Sequence, residues 1–303
     1  MAPVGEAIGP VAPRDALVRA RQRAALVPDL LIEARRVANT VIAGWHGRRR
    51  RGIGENFWQF RPYVEGEAVA RIDWRRSARD DHTYIREREW EAAHTVWLWA
   101  DHSASMRYKS RGALVAKESR ALVLVLALAE LLARGGERIA WPGLVDPFTA
   151  RDGAERIAAR LVHASALAAP PDLAVVRRFS DVILVSDFLD PPGEIRAWLD
   201  PLARNGVRTH LIEVADPAEE SFPYAGRTEF RDPETGVRLV AGRAETLADD
   251  YRRYYRARRA DLSTWCKRLG WSHIVNHTDR PASEALVRVH AAMSEPGGWE
   301  DDA

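Results

Sequence analysis

Val96-Trp97-Leu98-Trp99-Ala100-Asp101-His102-Ser103-Ala104-Ser105-Met106 is the stretch whose reading sets the fold. An apolar run stops at an aspartate, and two hydroxyls follow at alternate positions. Continuous apolar runs mark strands buried on both faces of a parallel α/β sheet, and ligand loops lie at the carboxyl ends of such strands. The D-x-S-x-S spacing places one carboxylate and two hydroxyls within five residues. All three are hard oxygen donors of the kind Mg²⁺ takes, usually with one or two carboxylates and several waters. The second carboxylate is expected from another strand end. Val182-Ile183-Leu184-Val185-Ser186-Asp187 repeats the pattern of an apolar run ending in Asp.

Outward from this stretch, the pattern predicts a helix over 112–134 that stops at Gly135-Gly136. Its middle, 121–129, is apolar all round, which means burial against a sheet. That run is shorter than the ~20 residues a membrane span needs, and Glu130 follows it. Strands are expected at 138–141, 181–187 and 207–214, with helices at 154–166 and 191–203 between them. Such alternation implies an open, mostly parallel, Rossmann-like sheet with helices on both faces. Residues 228–241 read as a hairpin turning on Asp232-Pro233-Glu234-Thr235-Gly236. A long helix over 244–269 carries an aromatic stripe of Tyr251, Tyr254, Tyr255, Leu262 and Trp265. A short strand at 272–276, a closing helix at 281–293 and a polar tail at 295–303 complete the main domain, 95–294.

Before it, residues 1–14 read as a disordered lead-in, and 15–94 as an N-terminal helix followed by a β arm. The helix runs from Asp15 towards Ala43, broken or restarted at Pro28. Residues 14–51 hold ten Arg against three acidic residues and end in Arg48-Arg49-Arg50-Arg51. A solvated loop or a set of ion-pair donors is the expected reading of that run; an anionic-surface or nucleic-acid binder is the alternative. No aromatic interleaving accompanies it, so no nucleic acid is expected. Gly52-Ile53-Gly54 reads as a turn. Residues 57–91 mix Trp, Tyr, Arg and acids, with a period-two strand from Tyr84. Arg61, Tyr63, Arg71, Asp73, Trp74, Arg79, Arg86 and Glu87 form either a recognition surface or the pairs that staple the arm to the main domain.

The formal net charge of +2 argues against a nucleic-acid protein on charge alone. Hydrophobic residues make up 46% of the chain, so a sizeable core is expected. Cys266 is the single cysteine, which excludes an intrachain disulfide and a cysteine-based zinc site, and it reads as a small buried side chain. With no basic-then-apolar leader and no span, the expected location is cytoplasmic.

The strand, Asp101, Ser103, Ser105 and Asp187 resemble the metal-ion-dependent adhesion site of von Willebrand factor type A domains. Gly52-Ile53-Gly54-Glu55, Arg61-Pro62-Tyr63, Arg71-Ile72-Asp73-Trp74, Ser77-Ala78-Arg79 and Tyr84-Ile85-Arg86-Glu87 resemble the bacterial DUF58 family, whose members carry such an arm before a type A-like domain. The resemblance implies a non-enzymatic interaction module. It implies Mg²⁺, or Mn²⁺, on Asp101, Ser103, Ser105 and Asp187, completed by a client carboxylate. It also implies a MoxR-type AAA+ ATPase partner in assembly or maturation. Three departures stand out. The only threonine between 142 and 180 is Thr149, where type A domains supply a ligand. Gly66-Glu67-Ala68 replaces an arm Gly-Asp-Asp, and His102 follows Asp101 and is expected to face solvent. Two other readings compete. In one, Ser103 and Ser105 cap the next helix while Asp101 accepts backbone bonds. In the other, Asp101 serves a Mg-dependent hydrolase or phosphotransferase. Against that second reading, Ser103 stands where another carboxylate is usual, no G-x-S-x-G surrounds either serine, and no suitably placed lysine is evident.

Overall fold

The computed structural model describes residues 27–42, 59–63, 72, 74–79, 82–87, 94–164 and 170–294. The chain divides into two units, Met1–Gly44 with His94–Ala303, and Trp45–Ala93.

In the smaller unit, β1 (Gln59–Pro62) pairs antiparallel with β2 (Tyr84–Glu87), Gln59 opposite Glu87 and Pro62 opposite Tyr84. The Tyr63 amide extends the ladder by donating to the Thr83 carbonyl at 2.7 Å. A single helical turn, α2 (Trp74–Ser77), is tied in by the Ser77 hydroxyl, which accepts from the Tyr84 amide at 2.8 Å. The expected strand from Tyr84 is present, and α2 supplies the helical turn expected within 71–79.

In the larger unit, residues 27–42 form α1, whose buried Val27, Leu30, Ala34, Ala38 and Val41 recur at helical spacing. Pro28 lies within its helical residues, while 15–26 lie outside the described ones. Six strands form one sheet in the order β10-β7-β6-β3-β4-β5. They are β3 (Thr95–Ala100), β4 (Arg138–Trp141), β5 (Val145–Phe148), β6 (Ser180–Ser186), β7 (Arg208–Ala215) and β10 (Ser272–His277). Five are parallel, and β5 is an antiparallel edge. Sequence reading missed β5 because Pro147 interrupts it; proline is tolerated at an edge, where no ladder donor is lost.

Helices α3 (Lys117–Gly135), α4 (Gly153–His163) and α8 (Ala282–Ser294) pack together, and α5 (Pro192–Arg204) meets α7 (Ala248–Arg268) through an Arg196–Asp261 ion pair at 2.7 Å. Residues 121–129 of α3 are all buried, as their composition predicts. The helix begins five residues later than expected, because Ala116 is extended, and it ends on Gly136 at φ 83°. Gly153 permits the close approach of α4: a Cβ there would lie 2.5 Å from Ile139 Cδ1. Among the described residues no helix is long and apolar enough to cross a membrane.

Along α7 the aromatic stripe divides: Tyr255 and Leu262 are buried, whereas Tyr254 is exposed. Cys266 on the same helix is buried, and burial pushes its thiol up to about 12.

His94, just before β3, lies 3.5 Å from Asp181 and 3.8 Å from Glu137. Asp181, then Glu137, push its pKa from 6.5 to about 9. Folding therefore favours the protonated ring, a contribution fully present below pH 6.5 and lost as pH rises through about 9. In urea denaturation, the midpoint gap between wild type and His94→Gln is expected to be larger near pH ~6 than near pH ~10. A gap that does not narrow removes the pairing as a source of stability.

Candidate functional site

The strand order reverses direction between β3 and β6: from β3 the chain moves to β4 and β5, then returns through α4 to β6 on the other side. Such a switch point opens a crevice at the carboxyl ends of the two strands. Ala100 pairs with Val185 across it, and the Asp101 amide donates to the Val185 carbonyl at 2.8 Å. Asp101 and Asp187, 86 positions apart in the chain by their numbering, thus meet at one end of the sheet.

The four residues marked by sequence converge. Asp101 Oδ1 accepts the Ser103 amide at 2.7 Å, and its Oδ2 accepts the Ser186 hydroxyl at 2.6 Å. The Ser105 hydroxyl donates to Asp187 Oδ2 at 2.8 Å, so the Ser103 hydroxyl, 3.1 Å away, donates to Ser105. The amide of Leu189 donates to Asp187 Oδ1 at 3.2 Å. Both serine oxygens, both Asp101 oxygens and Asp187 Oδ1 keep lone pairs free for a hard cation. Among the described residues no group of three or more His, Cys, Asp or Glu side chains stands ready for a metal, so a cation here draws half its protein donors from hydroxyls. The donor chemistry fits Mg²⁺ or Mn²⁺. Of the alternative reading, Asp101 does accept a backbone bond, but neither serine caps a helix: the turn at 105–107 follows Ala104 and α3 follows Ala116, both without a side-chain cap.

Lys117 corrects one expectation. No lysine near Asp101 was evident from sequence, yet Lys117, fully buried in the first turn of α3, donates to Asp187 Oδ2 at 2.8 Å and Glu219 Oε1 at 2.5 Å. Burial alone would lower its proton affinity, but the charges of Asp187 and Glu219 more than offset this and keep it an ammonium. Even so, the region is rich in negative charge. Burial, then the charge of Asp187, hold the Asp101 carboxyl above the ordinary aspartate range. Burial, then Asp187, Asp101, Glu194 and Glu234, push Asp190 up to about 6.

His102 is a second correction. The ring is buried, not solvent-facing: Nδ1 bonds Glu118 Oε1 at 2.9 Å and the ring stacks on Trp141 at 6.3 Å. The start of α3 folds back over the loop and brings Glu118 there. Thr149 is exposed and follows Phe148, which pairs with Ile139 at the amino-terminal part of β4. It therefore lies towards the end of the sheet opposite Asp101 and contributes no ligand.

Two groups at the site escaped sequence reading. Glu219 belongs to α6 (Pro217–Ser221), whose Asp216 cap and Glu219 form a capping box. The D-P-x-E signal is legible, but a five-residue helix is easily passed over. Glu234 comes from the tip of the hairpin formed by β8 (Thr228–Arg231) and β9 (Arg238–Ala241), and its Oε1 accepts the Ser105 amide at 2.7 Å.

Beneath the loop, Glu213 on β7 is fully buried and accepts from Arg258, Arg259 and His273. Burial works to raise its pKa, but His273, Arg259 and Arg258 together hold it below the usual range. Arg258 also donates to the Phe188 carbonyl, and Phe188 is buried in the left-handed region at φ 48°.

Of the arm candidates, Tyr63 is half-buried, and Trp74 and Arg79 are exposed. Arg71 and Asp73, the side chains of Arg61, Arg86 and Glu87, and Arg48–Arg51 with Gly52–Gly54 and Gly66–Ala68 lie outside the described residues.

Fold and site define a mixed α/β protein, its largely parallel sheet flanked by helices, with a carboxylate–hydroxyl cluster at the switch point. The chain belongs to the family described as "Protein of unknown function DUF58", whose model matches residues 59–261. It is 28% identical over 288 residues to the uncharacterized protein Rv1480 of Mycobacterium tuberculosis, covering 89% of each chain, and equally to Mb1516 of Mycobacterium bovis. Two solved structures overlap 67% of this chain and the whole of their own. They are the hypothetical protein BatB of Bacteroides thetaiotaomicron (16% identity, TM-score 0.37) and an aerotolerance-related membrane protein of Bacteroides fragilis (17%, 0.36). Neither score defines the fold of this chain.

Proposed function

We propose that this protein is a non-enzymatic interaction module with a von Willebrand factor type A-like domain. Asp101, Ser103, Ser105 and Asp187 would hold Mg²⁺ or Mn²⁺, which supplies, when bound, a position open to a partner's carboxylate. The convergence of these four side chains at the switch point, with free oxygen lone pairs and surplus negative charge, carries the reading. Asp101 anchors the loop to β3 and β6 through Ser103 and Ser186. Ser103 and Ser105 orient each other. Lys117 neutralises one charge at Asp187 and leaves the rest for the cation. The family resemblance points to a MoxR-type AAA+ ATPase as the partner, in assembly or maturation of other proteins, in the cytoplasm. The surface of the arm before residue 95 serves as the second contact region in this reading.

Calorimetric titration with Mg²⁺ and Mn²⁺ tests it. Saturable binding by wild type and none by Asp101→Ala is the expected result; equal behaviour of the two proteins would sink it.

Lys117 favours one rival, a Mg-dependent phosphotransferase using Asp101, because a lysine does stand beside the carboxylates. Two of its protons are committed to Asp187 and Glu219, and the side chain is fully buried, so it presents little to an incoming phosphoryl group. Turnover of a generic phosphate ester, lost in Asp101→Ala, would establish that rival.

A further inference from the structure

We propose that Glu234 is the internal occupant of this site's acceptor position. The hairpin tip sets its carboxylate on the D-x-S-x-S loop, and a partner's glutamate or aspartate binds by replacing it. The inference rests on the carboxylate-binding reading above and adds its regulation.

The contact joins residues 129 positions apart and lands on the backbone N–H of Ser105, inside the loop itself. The tip does not depend on that contact for its shape. Asp232 Oδ1 accepts from the Glu234 amide at 2.8 Å, the Thr235 hydroxyl donates to Asp232 Oδ2 at 2.6 Å, and the Gly236 amide donates to the Asp232 carbonyl at 2.9 Å. Gly236 takes φ 73°, which a side chain would resist. The turn is thus built to project Glu234, whatever the carboxylate meets.

One strand of the hairpin is anchored as far as Phe230, two residues before Asp232. Phe230 stacks on Phe222 at 5.5 Å and meets Tyr224 edge-on at 5.2 Å, and Tyr251 packs against Phe222 at 4.6 Å. The Tyr224 hydroxyl bonds that of Tyr108, three residues beyond Ser105, at 2.5 Å. The other strand is bare: Leu239 and Val240 on β9, and Val237 just before it, are more than half exposed. Beyond Phe230 few packing contacts hold the tip, residues 232–236, so it can lift while the strands stay in place.

The charges explain why this carboxylate marks an acceptor position. Glu234 stands against the negative charge of Asp101 on one loop and of Asp187 and Asp190 on the other. A bound cation turns that repulsion into attraction. Because Glu234 is exposed, its bond to Ser105 is already solvated, and an incoming carboxylate replaces it with no buried charge left unpaired.

Two readouts on the full-length protein separate this inference from the reading beneath it. The first needs no metal: amide exchange at Ser105, followed by NMR, is expected to be about tenfold faster in Glu234→Ala than in wild type. Unchanged exchange overturns the internal occupant. The second uses Mn²⁺ as probe, read by water-proton relaxation while acetate is added. Glu234→Gln is expected to bind Mn²⁺ and respond at roughly tenfold lower acetate than wild type. Mn²⁺ binding with equal acetate responses overturns the occupant and keeps the metal reading. Faster Ser105 exchange with no Mn²⁺ binding in either protein overturns both the metal reading and the competition.

Discussion

Lys117→Met lowers the melting temperature by on the order of 10 °C, and Mg²⁺ recovers more of that loss than it adds to wild type. Methionine fits the space of the alkyl stem, so packing is nearly conserved. What disappears is the ammonium between Asp187 and Glu219, whose side chains are 5% and 12% exposed. Removing one partner of a buried ion pair costs about 3–5 kcal/mol, because the remaining charges stay out of water and unpaired. In a domain of this size each kcal/mol moves the melting temperature by roughly 2–4 °C. In the proposed function a divalent cation on Asp101 and Asp187 would offset part of the same charge, hence the larger Mg²⁺ effect expected in the variant. Adding Asp187→Asn to Lys117→Met should cost less than the sum of the two single changes, since the pair is coupled. Scanning calorimetry with and without Mg²⁺ measures all of this. A stability loss that Mg²⁺ does not relieve would leave Lys117 a purely structural cation.

Arg258→Met is expected to cost about 3–5 kcal/mol and to weaken Mn²⁺ binding about tenfold. The guanidinium bridges two elements that only the fold brings together, Glu213 on β7 and the backbone after Asp187. Glu213 retains Arg259 and His273 after the change, so the greater loss falls on the loop. Phe188 has φ 48°, a conformation a bulky side chain keeps only when its surroundings hold it there, at a cost of about 1–3 kcal/mol. Without Arg258, the Phe188 carbonyl loses its buried donor, and Asp187 shifts with its neighbour. Arg258→Lys restores the charge but not the forked geometry, so recovery is partial. Urea denaturation gives the stability, and a Mn²⁺ titration gives the affinity. Lost stability with unchanged Mn²⁺ affinity would confine Arg258 to the scaffold.

Much of this is legible in the sequence, for a local reason. Val96–Ala100 and Val182–Val185 are apolar without alternation, and only a strand covered on both faces uses such a run. The apolar centre of α3 and the Gly136 stop follow equally from neighbouring residues. So does the hairpin turn, because Asp232, Thr235 and Gly236 act on their own backbone. Each of these signals lies within a dozen residues. The hard-oxygen character of Asp101, Ser103, Ser105 and Asp187 is likewise a property of residue type, and strand ends of a parallel sheet are where such groups gather.

Other features depended on which distant segments meet, and no local pattern records that. The switch point between β3 and β6 sets Asp101 beside Ser186 and Asp187. No local signal ties Lys117 to Asp187; the fold lays α6 and the β6 loop against it. His102 looks solvent-facing in a polar loop, but α3 returns over it with Glu118, and Trp141 arrives from the neighbouring strand. Thr149 has the right chemistry and lies towards the wrong end, because β5 runs antiparallel. Composition and periodicity determined the five parallel strands, the longer helices and the donors at the strand ends. Tertiary structure alone decided the charge balance among them and brought Glu234 to Ser105, because electrostatics depends on distance in space, and sequence reports distance only along the chain.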